Sequence, residues 1–447
     1  MPPASSAVKV PLTRAQRWTR PLAAFLAIES ASGVALFLCT LGALVAANSA
    51  YAESFAAFWE TECTLSVGPL ALRKTLLHVV NDGFMTIFFF LVGLEIKREL
   101  VSGELRDPRK AALPVAAALG GMLAPAAIYY ALQHGQPGER GWGVPMATDI
   151  AFVVGVLAVL GPRVPLGLKI LLLSLAIADD IGAVVVIAIF YSTSLSLPLL
   201  MAAAAGFLLI ALMRHVGVRA VPPYFLVGTA IWLAVLKSGI HPTVAGVVLG
   251  LMTPAVARLG SGTLVPILGR TLALVRTDPD HGDHERSGAM SALAYAAKEA
   301  ISPLQRLESA LHPWVGFVIM PVFAVANAGV AVEWRALQDP VAVAVALGLF
   351  LGKPLGVVGF SWLSVKLGIC RLPDGVSWRV LLGGGFLAGI GFTMSLFVAG
   401  LALHDDQLAA GKIGTLCGSM VSGLVGAILL WFVLPARAIR GTIHSPA

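Results

Sequence analysis

Apolar runs of roughly 20 residues recur along this chain, separated by short polar segments where most lysines and arginines collect. Each run is long enough to cross a hydrocarbon core of about 30 Å as a helix. The pattern predicts an all-α polytopic membrane protein with about twelve transmembrane helices. The predicted spans are 22–48, 76–100, 111–133, 142–160, 166–191, 195–213, 222–237, 239–253, 313–332, 340–367, 379–403 and 411–434. Residues 1–21 and 435–447 form short tails outside this 22–434 unit. The first run is too long for a cleavable signal and is not followed by a clear small-residue cleavage site. Residues 64–74 alternate about Gly68-Pro69 and predict a surface hairpin. A long loop, 254–312, carries a charge cluster from Asp278 to Arg286. Its His281, Asp283 and His284 fit a solvated polar loop better than a metal site.

Composition sharpens this picture. Hydrophobic residues make up 57% of the 447 positions and charged ones 12%, whereas soluble domains carry about 25% charged residues. The mean hydropathy is +0.86. The 47 glycines and 27 prolines fall often within apolar runs, which membrane helices tolerate. Cys39, Cys63, Cys370 and Cys417 form no CxxC pair and read as packing residues, not as a disulfide framework or zinc site.

With the N-terminus in the cytoplasm, 24 of the 31 lysines and arginines fall on the cytoplasmic side. Six face the other side: Arg73, Lys74, Arg140, Lys237, Arg335 and Lys412. The positive-inside rule therefore places both termini in the cytoplasm. Basic residues spread over so many loops argue against nucleic acid as a partner. The lipid bilayer is the expected one.

The remaining cation, Lys353, lies within a span, as do Asp82, Asp149, Asp179 and Asp180. Glu95 sits nearer a span's end, followed by Lys97, Arg98 and Glu99. A charge at a helix centre costs about 2.5–3.5 kcal/mol or more. Four carboxylates and a lysine at such depth point to ion handling beyond helix pairing. Asp179 and Asp180 lie midway along LLLSLAIADDIGAVVVIAIF. Adjacent helical residues point about 100° apart, so one carboxylate can address a cavity while the other reaches a neighbouring helix. Out of water, such a pair holds either a hard cation or protons and titrates as a coupled unit. The few oxygens suit a weakly held monovalent cation better than calcium.

Two spans are interrupted. In GWGVPMATDIAFVVG, Gly143, Pro145 and Thr148 precede Asp149; in GGGFLAGIGFTMSLFVAG, Gly389 and Gly391 precede Thr393. Thr148, Phe152 and Gly155 share spacing with Thr393, Phe397 and Gly400. As fourth and eleventh spans they run in opposite directions, which predicts an inverted repeat with its site at the breaks. Half-helix ends carry partial charges, positive at N-termini and negative at C-termini. Asp149 suits the former. Lys353 suits the latter, or else pairs directly with Asp179 or Asp180.

These segments resemble the NhaA family of sodium/proton antiporters. The resemblance covers about residues 22–434, in seven ordered blocks: 81–100, 147–161, 168–191, 238–247, 306–330, 352–358 and 389–397. It implies two broken helices that cross. It also implies electrogenic exchange of sodium or lithium for a larger number of protons, regulated by pH, in a bacterial inner membrane. Asp179 and Asp180 match the family's cation- and proton-binding pair, with Asp180 the firmer ligand and Thr148 beside it. Asp149 and Lys353 match its charges at the crossing, and Asp82 a carboxylate near the cation path. Glu95, Glu99, Glu308 and His312 match positions tied to pH regulation, and His241 also matches, though it reads better as a packed or hydrogen-bonded histidine. The 64–74 hairpin resembles the family's homodimer contact. Transport of this kind implies no enzymatic activity and no cofactor.

Two departures stand out. Ser309 stands where some relatives carry histidine, and the 255–300 loop is longer than in compact relatives. An organic-anion symporter would be expected to place arginine deep within the spans, and none lies there, Arg98 and Arg379 standing at span ends. An intramembrane aspartyl protease would need aspartates on separate helices, commonly with a GxGD sequence, which is absent.

Overall fold

The computed structural model describes residues 29–67, 70–192, 195–218, 221–257, 265–269, 283–331 and 334–435. Helix α1 (Glu29–Ala47) turns sharply into α2 (Ala52–Glu60), the two described segments meeting at 113°. Strands β1 (Glu62–Val67) and β2 (Leu70–Thr75) then pair antiparallel, with Glu62 opposite Thr75. They flank Gly68-Pro69, which lies outside the described residues.

Next come α3 (Leu76–Ser102) and α4 (Pro108–Gln133). A 3-10 segment, Glu139–Met146, leads into α5 (Ile150–Leu160), followed by α6 (Leu166–Phe190). Helices α7 (Leu197–Val216), α8 (Val221–Ser238) and α9 (Thr243–Met252) form a satellite group packed through Ala203, Ile210, Ile231 and Ala245. Helix α10 (Asp283–Glu299) precedes α11 (Pro303–Ala328) and α12 (Pro340–Lys366). The chain closes with α13 (Trp378–Ala388), α14 (Phe392–Ala402) and α15 (Asp405–Val433). Among the described residues, nine helical segments are long and apolar enough to cross a membrane, or eleven if each bent pair is one span.

Two expectations change. The span expected at 239–253 is a helix of only 10 residues, about 15 Å long at 1.5 Å per residue. Gly239 with φ +90° and Pro242 delay its start, because a left-handed glycine ends one helix and proline opens the next. The segment expected as loop until 312 contains α10, and α11 begins ten residues before the predicted 313. Both stretches are polar, so a search for apolar runs passes over them. His281 lies outside the described residues, as do the side chains of Asp283 and His284.

Close backbone approach ties the bundle together. A Cβ on Gly356 would strike the Gly120 backbone, joining α12 to α4, and a Cβ on Gly93 would strike Val247, joining α3 to α9. Lipid supplies little drive for helices to associate, so small residues that let backbones meet do that work. Outward positions such as Val159, Leu208 and Phe225 are exposed, as lipid-facing residues are. Three single π turns, Val79–Phe84, Val315–Ile319 and Gly348–Gly352, interrupt α3, α11 and α12. The last ends immediately before Lys353, and such turns recur at functional positions.

Candidate functional site

The chain from Gly141 to Asp149 does not form a regular α-helix: Pro145 cannot donate a backbone hydrogen bond, and Ala147 and Asp149 are extended. Asp149 caps α5, its Oδ1 accepting from the Phe152 N–H at 3.2 Å. The other break lies at Gly389–Gly391, where α13 and α14 meet at 47°. The Asp149 N–H donates to the Ile390 carbonyl at 2.7 Å. Its Oδ2 accepts from the Thr393 N–H at 3.1 Å and from the Thr393 hydroxyl. One buried carboxylate thus faces two half-helix N-termini, each worth roughly half a positive charge.

The lysine settles between its two sequence alternatives. Lys353 Nζ lies 2.6 Å from Asp179 Oδ2 and donates to the Thr148 hydroxyl at 2.8 Å. That hydroxyl stands 2.7 Å from Asp179 Oδ2 and 2.9 Å from the Ala388 carbonyl at the end of α13. It has one proton to donate, so it serves either the carboxylate or the helix end at any moment. Lys353 is fully buried, and Thr148, Asp149, Asp179 and Asp180 are buried with it.

Asp179 and Asp180 are treated differently by their surroundings. Asp179 is held through Oδ2, while its buried Oδ1 has no hydrogen-bond partner among the described residues. To Asp180 no hydrogen bond or ion pair is made among the described residues. Asp180 is buried next in sequence to Asp179. Two adjacent carboxylates removed from water gain from either a cation or a proton. No group of three or more His, Cys, Asp or Glu that could hold a metal ion occurs among the described residues.

The profile of the family described as Na+/H+ antiporter 1 matches residues 23–430. The chain belongs to the NhaA family of Na+/H+ antiporters. The Na(+)/H(+) antiporter NhaA of Rhodopirellula baltica is 51% identical, the match covering 95% of this chain and 97% of that one. NhaA 2 of Acidiphilium cryptum is 48% identical and NhaA 2 of Vibrio vulnificus 46%, each match covering 94% of both chains.

Other residues singled out from the sequence lie away from this NhaA-type crossing. Asp82 sits in the π turn near the hairpin end of α3, 3.4 Å from Lys74 Nζ and 3.6 Å from His241 Nε2. Thirteen residues separate it from Glu95, about 20 Å along a helix. The His241 ring packs edge-on against Phe397, and its Nδ1 lies 2.8 Å from the Thr243 hydroxyl, so it is both packed and hydrogen-bonded. Glu308 pairs with Arg98, which lies 3.6 Å from Glu99, joining α11 to α3. Glu99 also accepts from the Glu104 N–H at 3.1 Å. Ser309 and His312 are exposed, and the His312 ring makes no polar contact among the described residues.

Sequence reasoning missed two serines. Ser419 Oγ accepts from the N–H groups of Gly391 at 3.2 Å and Phe392 at 3.1 Å. Ser422 donates to the Phe386 carbonyl at 2.7 Å. Together they cap both ends of the second break from α15. Their i, i+3 spacing, which puts them on one helix face, was the available signal.

Proposed function

We propose that this chain exchanges sodium or lithium ions from the cytoplasm for a larger number of external protons, at the Asp179-Asp180 pair. The observation that carries the reading is the asymmetry of the pair: Lys353 and Thr148 hold Asp179 Oδ2, while Asp179 Oδ1 and the Asp180 carboxylate have no partner among the described residues. Those oxygens, with the Thr148 hydroxyl at hand, suit a hard monovalent cation. A proton on either carboxylate removes the charge that attracts the cation, so the two ligands compete. The crossing backbone supports such a site, since broken helices leave polar groups at membrane depth only where protein satisfies them. The names of the relatives favour the same reading.

The setting proposed is a bacterial inner membrane with both termini in the cytoplasm. The 62–75 hairpin would then lie on the periplasmic side as a homodimer contact. Asp82 would lie on the external approach of the cation. Glu95, Glu99, Glu308 and His312 would tune activity with pH from the cytoplasmic face.

If two carboxyl protons, or one with a Lys353 proton, are exchanged against one cation, each cycle carries net positive charge inward. A potential negative on the proton-receiving side then assists by about 2.3 kcal/mol per charge per 100 mV. The test is sodium-evoked proton flux in proteoliposomes clamped with potassium and valinomycin, with potassium in place of sodium as control. Turnover should rise as the proton-receiving side is made more negative and fall at low pH. Flux insensitive to voltage would show one-for-one exchange, and no flux with either sodium or lithium would remove the antiport reading.

A further inference from the structure

At the C-terminal end of α15, beside the loop joining α5 to α6, lies a recess of about 450 Å³ lined by Arg163, Pro165, Leu166, Lys169 and Pro435 among others. We propose that it holds the phosphate of an anionic diacyl phospholipid in the leaflet at this face. Under the orientation proposed above, that is the cytoplasmic leaflet.

The recess is built around two cations. Arg163 lies over Trp431, its guanidinium carbon 4.3 Å from the ring centroid. A cation–π contact of this kind leaves the guanidinium charged, and its forked N–H donors match a phosphate bidentately. Neither Arg163 nor Lys169 has a carboxylate partner within ion-pair distance among the described residues, so none of the described carboxylates occupies their charge. Pro162, Pro165 and Pro435 edge the recess, and their fixed φ limits how far the rim can relax.

Its position selects a lipid over a free anion. The site lies where α5, α6 and α15 end, at a membrane–water boundary, where tryptophan concentrates. Leu166 is 71% exposed, Val159 85% and Phe432 81%, so apolar surface runs from the recess along the helices. A diacyl lipid satisfies both parts, phosphate on the cations and chains along that surface, as basic pockets at helix ends do. A free phosphate gains only the half-exposed cations, screened over about 8 Å at physiological salt.

The test is native mass spectrometry of the full-length protein in detergent, titrated with phosphatidylglycerol or phosphatidylcholine. The parent should retain phosphatidylglycerol preferentially. R163Q/K169Q should weaken that retention roughly 30-fold, about fivefold for each charge removed, while keeping sodium-evoked proton flux. K169Q alone should cost about fivefold and carries the test should the double variant fail to fold. Lys366, which stacks over Trp362 at 4.7 Å but does not line the recess, supplies the control: K366Q should change retention less than twofold, a diffuse surface charge giving no local pocket. Unchanged retention in K169Q and the double variant would overturn the proposal. So would equal loss in K366Q, equal binding of the two lipids by the parent, or displacement of the lipid by millimolar inorganic phosphate.

Discussion

Charge is handled in opposite ways at the helix crossing and at the contact between α3 and α11. At the crossing, Lys353, Asp179, Thr148 and Asp149 are withdrawn from water, and each meets a named partner on another element. Between α3 and α11, the Arg98 side chain is 41% exposed and shared between Glu99 and Glu308. Burial leaves an ion without the alternative of water, so removing one member strands the other. A half-exposed guanidinium that loses a carboxylate is simply rehydrated. The same pairing of acid and base therefore fixes structure in the first place and can change partners cheaply in the second.

The sharpest probe of the crossing is Asp180→Asn. The carboxylate has no protein partner to lose among the described residues, so the fold should be unchanged while sodium-evoked proton flux falls to background. Near-parental flux in a monodisperse D180N protein would remove Asp180 from the site. Lys353→Ala tests the other half of the comparison. It strands the buried Asp179 charge and should cost about 3–5 kcal/mol of stability, read as a lowered thermal midpoint together with perturbed transport. Lys353→Arg keeps the charge and should be milder. An alanine variant that melts and transports like the parent would show that the pair does not hold the crossing.

Ser419→Ala asks whether uncharged caps carry a comparable share of the crossing. It leaves the Gly391 and Phe392 N–H groups without their acceptor in a buried setting. A lost cap costs about 0.5–2 kcal/mol, so the variant should be less damaging than Lys353→Ala and still measurable by thermal unfolding. Ser419→Thr, which keeps the hydroxyl, should recover most of the loss. Equal destabilisation by alanine and threonine would point to packing instead of capping.

The sequence carried the parts of this arrangement that depend on local chemistry. Gly143, Pro145, Gly389 and Gly391 mark the breaks because glycine and proline weaken helices locally, although α4 runs on through Pro114 and Pro125. Asp149, Asp179, Asp180 and Lys353 stand out because charge is rare in apolar runs. Choices between distant partners were not legible. Lys353 was compatible with either aspartate or with a helix end, and its pairing with Asp179 depends on how α12 lies against α6. Asp82 read as one more deep carboxylate, yet Lys74 and His241 meet it only after the hairpin and α9 fold beside α3. The serines of α15 were missed for the same reason, their contacts being set by neighbours, whereas α9 was expected but drawn too long because apolar content alone hides the stop at Gly239 and Pro242.

The smallest effect is expected at the exposed end of the comparison. Glu308→Gln removes one of two carboxylates beside Arg98. Arg98 keeps Glu99 and access to water, so the Arg98–Glu308 coupling should amount to about 0.2–1 kcal/mol. It should shrink further as salt is raised, since the Debye length falls from about 10 Å at 0.1 M to 3 Å at 1 M. A double-mutant cycle of Arg98→Gln and Glu308→Gln, followed by thermal unfolding at both salt concentrations, isolates that coupling from the loss of each side chain's packing. Under the proposed role of Glu308 in pH regulation, its influence should appear more in the pH dependence of flux than in stability. Glu308→Gln should shift the pH profile while leaving maximal turnover within about twofold, a difference of roughly 0.4 kcal/mol. A coupling above about 3 kcal/mol that ignores salt is the behaviour of a buried pair. It would mean that the α3–α11 contact and the crossing are held together by the same means, and the contrast between the two regions would be lost.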